Sequence, residues 1–274
     1  MSEVVIATQD GRVLTLTMNR PDALNAIDSE SARALRRAFE QAVKDTAVGC
    51  IVLTGAGRAF SAGADLRELS SRHERGEREL GQDLRENYAP LIRAIRTCPK
   101  PVVAAINGTA AGAGLSLALA CDLRVIASDA QLIVVFVRVG LVPDAGSLFF
   151  LTRMLGYGKA MELALTGNPV SAAEAHRLGL VSAAEAHRLG LVSAVAAPGE
   201  LLSTVTELAS GLSAGPAEAY ALIKRGMERA LSLDLEQALE LEAHLQSLAG
   251  RTADHQEAVR AFLDKRKPVF RGAE

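Results

Sequence analysis

The sequence predicts an α/β core followed by an all-helical C-terminal region, and three observations point to it. Short apolar runs of strand length alternate with helix-length amphipathic stretches up to about Val195, the pattern of strand–helix units. Two of those runs end in loops made almost wholly of glycine and alanine. From Leu201 onward no strand-like run occurs, and three amphipathic segments follow one another: Ala217–Leu231, Leu235–Leu248 and Asp254–Lys265. The boundaries therefore fall at 1–200 for a core that carries the site and at 201–274 for a helical region suited to a subunit interface.

Taken in order, Val4–Thr8 and Val13–Asn19 are β-like runs around Asp10-Gly11, a hairpin signal because both residues tolerate the left-handed backbone of a tight turn. Ser29–Lys44 carries Ala32, Leu35, Phe39 and Val43 at helical spacing. Cys50–Leu53 is a short buried strand that runs into the loop Thr54–Asp65. Glu68–Asn87, dense in Arg and Glu, reads as a mobile or solvated segment. Pro99 and Pro101 precede a second buried strand, Val102–Ile106, and the loop Asn107–Gly114 leads into a helix starting near Gly112. Leu123–Ala127 and Leu132–Val137 read as further strands, and Ala145–Leu155 as a helix.

Composition excludes several classes of function. With 49% hydrophobic residues, 274 residues can bury a sizeable core. A net charge of −2, with acids and bases interspersed, lacks the basic face that nucleic-acid binding needs. No stretch is long and apolar enough to span a membrane. The opening Met-Ser-Glu-Val-Val-Ile lacks the basic-then-apolar pattern of a signal peptide, so a cytoplasmic protein is expected. Cys50, Cys98 and Cys121 are odd in number and set in apolar contexts, which predicts reduced, buried thiols. No histidine sits at metal-ligand spacing, so no metal is expected.

Val170–Leu180 and Val181–Leu191 are identical, VSAAEAHRLGL twice over. A perfect tandem copy reads as a duplication of a helix-and-turn segment. Each copy ends in Leu-Gly-Leu-Val, and Gly179 and Gly190 are natural helix stops, so two short helices in series are expected in place of one long one.

The two glycine–alanine loops carry the strongest chemical signal. Each follows a buried strand and feeds a helix start, where unpaired N–H groups and the positive end of the helix dipole are available. Small side chains let a ligand oxygen approach the backbone. Two such loops can aim two N–H donors at one oxygen, forming an oxyanion hole. The competing reading is a pair of tight turns that serve helix–strand packing. Nucleotide-binding fingerprints fail on spacing: Gly112 and Gly114 would need a third glycine where Leu117 stands, and Gly55 and Gly57 one where Phe60 stands. A serine hydrolase reading rests on Gly114-Leu-Ser116-Leu-Ala118, followed in hydrolase order by Asp144 and His176. That elbow needs the strand to turn directly into the helix, whereas Asn107–Ala113 intervene.

Phe60-Ser-Ala-Gly-Ala-Asp-Leu66 and Asn107-Gly-Thr-Ala-Ala-Gly-Ala-Gly114 closely resemble the two signature loops of the enoyl-CoA hydratase/isomerase (crotonase) superfamily. Asn19–Ala26 resembles its N-terminal CoA segment, Leu165–Ala175 its late helix, and Phe262-Leu-Asp-Lys265 its C-terminal Phe-x-x-Lys. The resemblance covers nearly the whole chain. It implies a spiral of ββα units with a C-terminal helical trimerisation region, assembled as a homotrimer or hexamer. It implies an acyl-CoA thioester as substrate and no separate cofactor. The N–H groups of Ala64 and Ala113 would form the oxyanion hole. Ala23, Leu24, Ala62, Asp65, Leu66 and Gly112 would line the CoA path, with Phe136, Val139 and the mobile Glu68–Asn87 segment as walls of the acyl pocket. Phe262 and Lys265 would reach the CoA of a neighbouring subunit.

The departures from the family pattern narrow the chemistry. Hydratases of the family carry two glutamates that handle water; at the matching positions this chain has Ser116 and Phe136. Neither is a carboxylate base, and hydration needs both activation of water and protonation of carbon. One acid remains in a family-relevant segment, Asp144 in Gly140-Leu-Val-Pro-Asp-Ala-Gly146. Some Δ3,Δ2-enoyl-CoA isomerases, and the ring-opening isomerase of the phenylacetyl-CoA pathway, carry a lone catalytic acid there. The resemblance therefore implies an acyl-CoA isomerase working through an enolate. The alternatives are another enolate reaction or weak hydration, a silent CoA-binding protein, and a serine hydrolase. A cap on the helix after Asp144 is the competing role for that residue.

Overall fold

The computed structural model describes residues 3–75, 80–180, 195–197 and 199–271. Strands β1 (Val5–Asp10) and β2 (Val13–Met18) form the expected hairpin. Asp10 pairs with Val13, so the two turn residues are Gly11 and Arg12, one place later than the sequence suggested. Helix α1 (Ser29–Lys44) has the bounds its periodicity predicts. Asp28 caps it by accepting the Ser31 N–H, and Leu35 and Phe39 are buried on its inner face.

Beyond α1 the chain repeats one move: a strand in one sheet, a short strand in a second, then helix. Strand β3 (Cys50–Gly55) is followed by β4 (Ala59–Ser61) and helices α2 (Leu66–Glu74), α3 (Leu80–Asp83) and α4 (Ala89–Thr97). A π-helical turn at Leu84–Tyr88 joins α3 to α4. Strand β5 (Val102–Ile106) is followed by β6 (Thr109–Ala111) and α5 (Ala113–Ala120). Strand β7 (Leu123–Ala127) is followed by β8 (Gln131–Ile133), a 3-10 turn at Val135–Val139 and α6 (Ser147–Thr166). Successive turns stack in register, Ile51 against Val102 and Val103 against Leu123 in one sheet, Ala59 against Thr109 and Ala110 against Leu132 in the other. This is the spiral of ββα units. The larger sheet runs β1-β2-β3-β5-β7-β10 and the smaller β4-β6-β8-β9, with β9 at Pro169–Ser171 and β10 at Val195–Ala196.

Four expectations are corrected. The strand foreseen at Leu132–Val137 stops at Ile133, because its partner β6 ends at Ala111 and the chain beyond it enters α5. The charged stretch Glu68–Asn87 folds as helix over most of its described length. The helix foreseen from Ala145 begins at Ser147, since Ala145 and Gly146 are left-handed, with φ of 47° and 87°. It runs on to Thr166 with a break at Gly156, whose φ of 73° and ψ of 163° are not helical.

The first copy of the tandem repeat is built into the core. Val170 lies in β9, α7 (Ala172–Arg177) buries Ala172 and Ala175, and the buried Leu180 accepts a hydrogen bond from Arg124 Nε (2.8 Å). The second copy lies outside the described residues.

Helix α8 (Leu201–Ser213) packs on β3, β5 and β7 through Val205, Leu208 and Ala209, so the first helix beyond residue 200 closes the core. Helices α9 (Ala217–Ala230), α10 (Leu235–Ala249) and α11 (Ala253–Leu263) follow. Neither α9 nor α10 has a buried residue, and Met227, Leu235, Phe262 and Leu263 are exposed. The three cysteines are free and buried as foreseen. Among the described residues no helix is long and apolar enough to cross a membrane.

Candidate active site

The first glycine–alanine loop is held from below by the segment after β2. Leu24 and Asn25 are left-handed (φ 50° and 55°), folding Pro21–Ile27 back under the loop. Leu24 O accepts the Ala62 N–H (2.9 Å), and Asn25 Nδ2 donates to Ala56 O and Ala59 O (both 2.8 Å). Ser61 Oγ donates to Asn25 O (2.8 Å). Ile27 donates its N–H to Gly63 O (2.7 Å) and accepts the Asp65 N–H (3.0 Å). Ala64 lies between these two bonds, and its own N–H has no acceptor among the described residues.

The second loop ends at Gly112, whose N–H donates to Ile133 O (3.0 Å). Gly112 is the N-cap of α5 at φ 51° and ψ −127°, with no side-chain cap. Ala113 is therefore the first helical residue, and its N–H is among those a helix leaves unpaired; it has no acceptor among the described residues. The loops touch: a β-carbon on Gly63 would stand 2.8 Å from Ala111 O and 3.2 Å from Ala113 N. Phe136, nearly buried, closes over the second loop, and a β-carbon on Gly112 would stand 3.9 Å from its ring.

Beside Ala64 a pocket opens that is lined on one side by Ile27, Leu69, Leu84, Tyr88 and Leu141 and reaches Asp144. Its acids divide sharply. Asp65 pairs with Arg20 (2.8 Å) and accepts the Arg67 and Glu68 N–H groups at the start of α2. Burial alone would raise the Asp65 pKa, but these hydrogen bonds outweigh it and lower it. Glu68 accepts from Ser29 N (2.9 Å) and Ser29 Oγ (2.7 Å). Asp83 pairs with Arg72 (3.1 Å) and accepts from Asn87 (2.6 Å).

Asp144 differs from all three. Its Oδ1 is buried without a hydrogen-bond partner among the described residues. Desolvation, helped by the nearby Asp83 charge, pushes its carboxyl up to about 6. Nor does it cap a helix with its side chain: the N-cap of α6 is Gly146, with no side-chain bond. A half-buried carboxyl with an unpaired oxygen and a pKa raised toward neutrality has the properties of a general base.

Ser116 and Phe136 occupy the two positions where the sequence lacks glutamate. Ser116 is fully buried, and its hydroxyl meets Gly112 O (3.3 Å), Asp144 O (3.1 Å) and Ser147 Oγ (2.6 Å). His176 is exposed on α7, so the serine–histidine pair that a hydrolase needs does not form. Ala23 and Leu24 are half-buried next to the first loop, as is Ala62, while Leu66 opens α2 half-exposed. The Asp65 side chain is committed to Arg20 and to α2. Phe262 (81% exposed) and Lys265 project from the end of α11 and take no part in the pocket of their own chain. The Glu68–Asn87 segment lines the pocket as expected, through Leu69, Asp83 and Leu84 among others, whereas sequence reasoning missed Leu141 and Tyr88, which donates to Ile27 O (2.9 Å). Tyr88 and Leu84, four apart beside a charged run, were the only signal. Among the described residues no cluster of three or more His, Cys, Asp or Glu side chains is placed to hold a metal.

A ββα spiral whose two glycine–alanine loops meet, with a small pocket of mixed apolar and acidic lining beside the first, defines a class of enzymes that act on CoA thioesters. The chain belongs to the enoyl-CoA hydratase/isomerase family, whose sequence profile matches residues 8–184 and 180–273. The two matched stretches meet inside the tandem repeat. The chain is 38% identical over 272 residues to 1,2-epoxyphenylacetyl-CoA isomerase of Escherichia coli K12, covering 99% of this chain and 100% of that one. It is 39% identical over 257 residues to a probable enoyl-CoA hydratase of Rhodobacter capsulatus, covering 94% and 93% of the two chains. The crystal structure of an enoyl-CoA hydratase from Polaromonas sp. JS666 superposes with a TM-score of 0.90 at 36% identity, over 97% of this chain and 99% of that one.

Proposed function

We propose that this enzyme is an acyl-CoA isomerase that shifts a double bond, or opens an epoxide ring, through an enolate, with Asp144 as its one base. The observation that carries this reading is the Asp144 carboxyl: half-buried, with one oxygen buried and unpaired, and raised to about 6, in the pocket that begins at Ala64. In the double-bond shift, the Asp144 carboxylate takes a proton from the carbon next to the thioester. The electron pair moves onto the thioester oxygen, where the Ala64 and Ala113 N–H groups receive it. The carboxylic acid so formed returns the proton two carbons further along, and the conjugated thioester results. One base suffices because the same proton leaves and returns.

Hydratase relatives keep hydration in view as the second reading. Ser116, held by three oxygen atoms, and Phe136, a hydrocarbon ring, offer no second carboxylate to prime a water. The test is incubation with a 3-enoyl-CoA while following the absorbance of the conjugated 2-enoyl thioester. Full-length similarity to the Escherichia coli isomerase makes 1,2-epoxyphenylacetyl-CoA the second substrate to assay. Turnover of either supports the isomerase; hydration of a 2-enoyl-CoA alone makes it a hydratase; tight CoA-ester binding without turnover makes it a silent binder.

The same reading has the protein work as a homotrimer or a hexamer in the cytoplasm, with Phe262 and Lys265 of each chain completing the CoA site of the next. The apolar exposure of α9, α10 and α11 supports this.

A further inference from the structure

We infer that Ser116 and Ser147 form a buried bolt that fixes Asp144 to the oxyanion helix, making both serines positioning residues for the proton transfer. The inference rests on Asp144 being the base.

Asp144 is held through its backbone, since its side chain has to stay unpaired. Its carbonyl oxygen accepts two hydrogen bonds, from Ser147 N–H (2.8 Å) and from Ser116 Oγ (3.1 Å). Ser116 sits one turn into α5, three residues after Ala113, and its N–H donates to Gly112 O (3.1 Å). Ser147 opens α6, and the two hydroxyls meet at 2.6 Å. Both side chains are fully buried, so no water competes for these bonds. The helix that presents the Ala113 N–H is thus joined to the turn that presents the Asp144 carboxyl by one hydroxyl pair.

The turn packs Leu141 and Ala145 against the core, but its backbone is strained. Ala145 is left-handed at φ 47°, a conformation that costs a residue with a β-carbon. Gly146 follows at φ 87°, and a β-carbon there would stand 2.7 Å from the Phe150 ring. Val142, two residues before Asp144, is 73% exposed. A strained turn persists where its surroundings over-determine it, and the serine bolt is the polar part of those surroundings. Ser116, at a position where hydratases of the family carry a glutamate, serves on this view to aim an acid in another segment.

Steady-state kinetics of Ser116→Ala, Ser116→Cys and Ser147→Ala on the 3-enoyl-CoA, each with and without Asp144→Asn, test this. Cysteine keeps the volume of serine but bonds weakly, which guards against loss through a cavity. Melting temperatures establish that each variant is folded. The expected result is a kcat fall of roughly 10- to 100-fold with KM nearly unchanged, and double variants no slower than Asp144→Asn alone. Full kcat in the folded serine variants, or a fall that multiplies with that of Asp144→Asn, overturns the bolt. Should Asp144→Asn alone keep the wild-type rate, the base assignment itself fails, a result separate from loss of the bolt alone.

Discussion

Gly63 lies against the end of the second loop so closely that a β-carbon on it would stand 3.2 Å from the Ala113 nitrogen. Gly63 immediately precedes Ala64, so this contact joins the two proposed oxyanion donors. It is also why the first loop needs glycine here: the backbone is at φ 97° and Ala111 O would meet the β-carbon at 2.8 Å. Gly63→Ala should cost about 1–3 kcal/mol of stability and spread the loops, lowering kcat by roughly 100-fold. Gly11→Ala is the control. It has a comparable positive φ of 54° but nothing within 4 Å, so it should cost about 1 kcal/mol and leave turnover alone. Thermal melts and kcat for the two variants check this.

The Asp144 carboxyl, raised from 3.8 to about 6, makes opposite demands on activity and stability. Only the ionised form abstracts a proton, so kcat/KM should fall on the acid side through about pH 6 and level off above it. Between pH 4 and 6 the unfolded chain has lost this proton while the folded one keeps it. The folded state then binds more protons, and stability falls as pH rises. The rise is worth at most roughly 3 kcal/mol, less where water reaches the carboxyl edge. Asp144→Asn should therefore melt higher than wild type at pH 8 and about level with it at pH 3, which melting scans at both pH values measure.

The exposed apolar side chains of the last three helices predict assembly. Phe262, Leu263 and Met227 are 81%, 73% and 69% exposed in the single chain, an arrangement that a neighbouring copy would cover. Light scattering at micromolar concentration should give a trimer or a multiple of one. Phe262→Ala should weaken CoA-ester binding, since that ring is proposed to reach the next subunit's site. A monomer with full affinity for a CoA ester contradicts both statements.

The first repeat copy fills the core, through Val170, Ala172, Ala175 and Leu180. Its twin adds length where the family profile breaks, and added length costs little entropy. Deleting Ser182–Val192 removes one repeat length and leaves one intact copy and its flanks. The melting temperature and turnover should stay near wild type. A drop of more than about 10 °C would mean that both copies are built into the core.

Much of the spiral was legible because its signals are local. The helical spacing of Ala32, Leu35, Phe39 and Val43 gives α1, and buried runs next to glycine give β3 and β5. What was not legible depends on partners distant in sequence. The end of β8 at Ile133 is set by the length of β6, and the helices in the described parts of Glu68–Asn87 by packing that charge density conceals. At the site, residue type and spacing singled out the two loops, and the resemblance named Ala64, Ala113 and Asp144 within them and beyond as candidates. Tyr88 and the bond from Ser116 to the Asp144 carbonyl were not legible, because no sequence interval relates them to the loops.

The most direct test of the central claim is kcat of Asp144→Asn on a 3-enoyl-CoA, with the affinity for a saturated acyl-CoA measured alongside. Asparagine keeps the size and removes the base. As the base, Asp144 predicts a loss of about 100-fold or more in kcat with affinity nearly intact. A variant that keeps the wild-type rate would contradict it, whatever else the pocket holds.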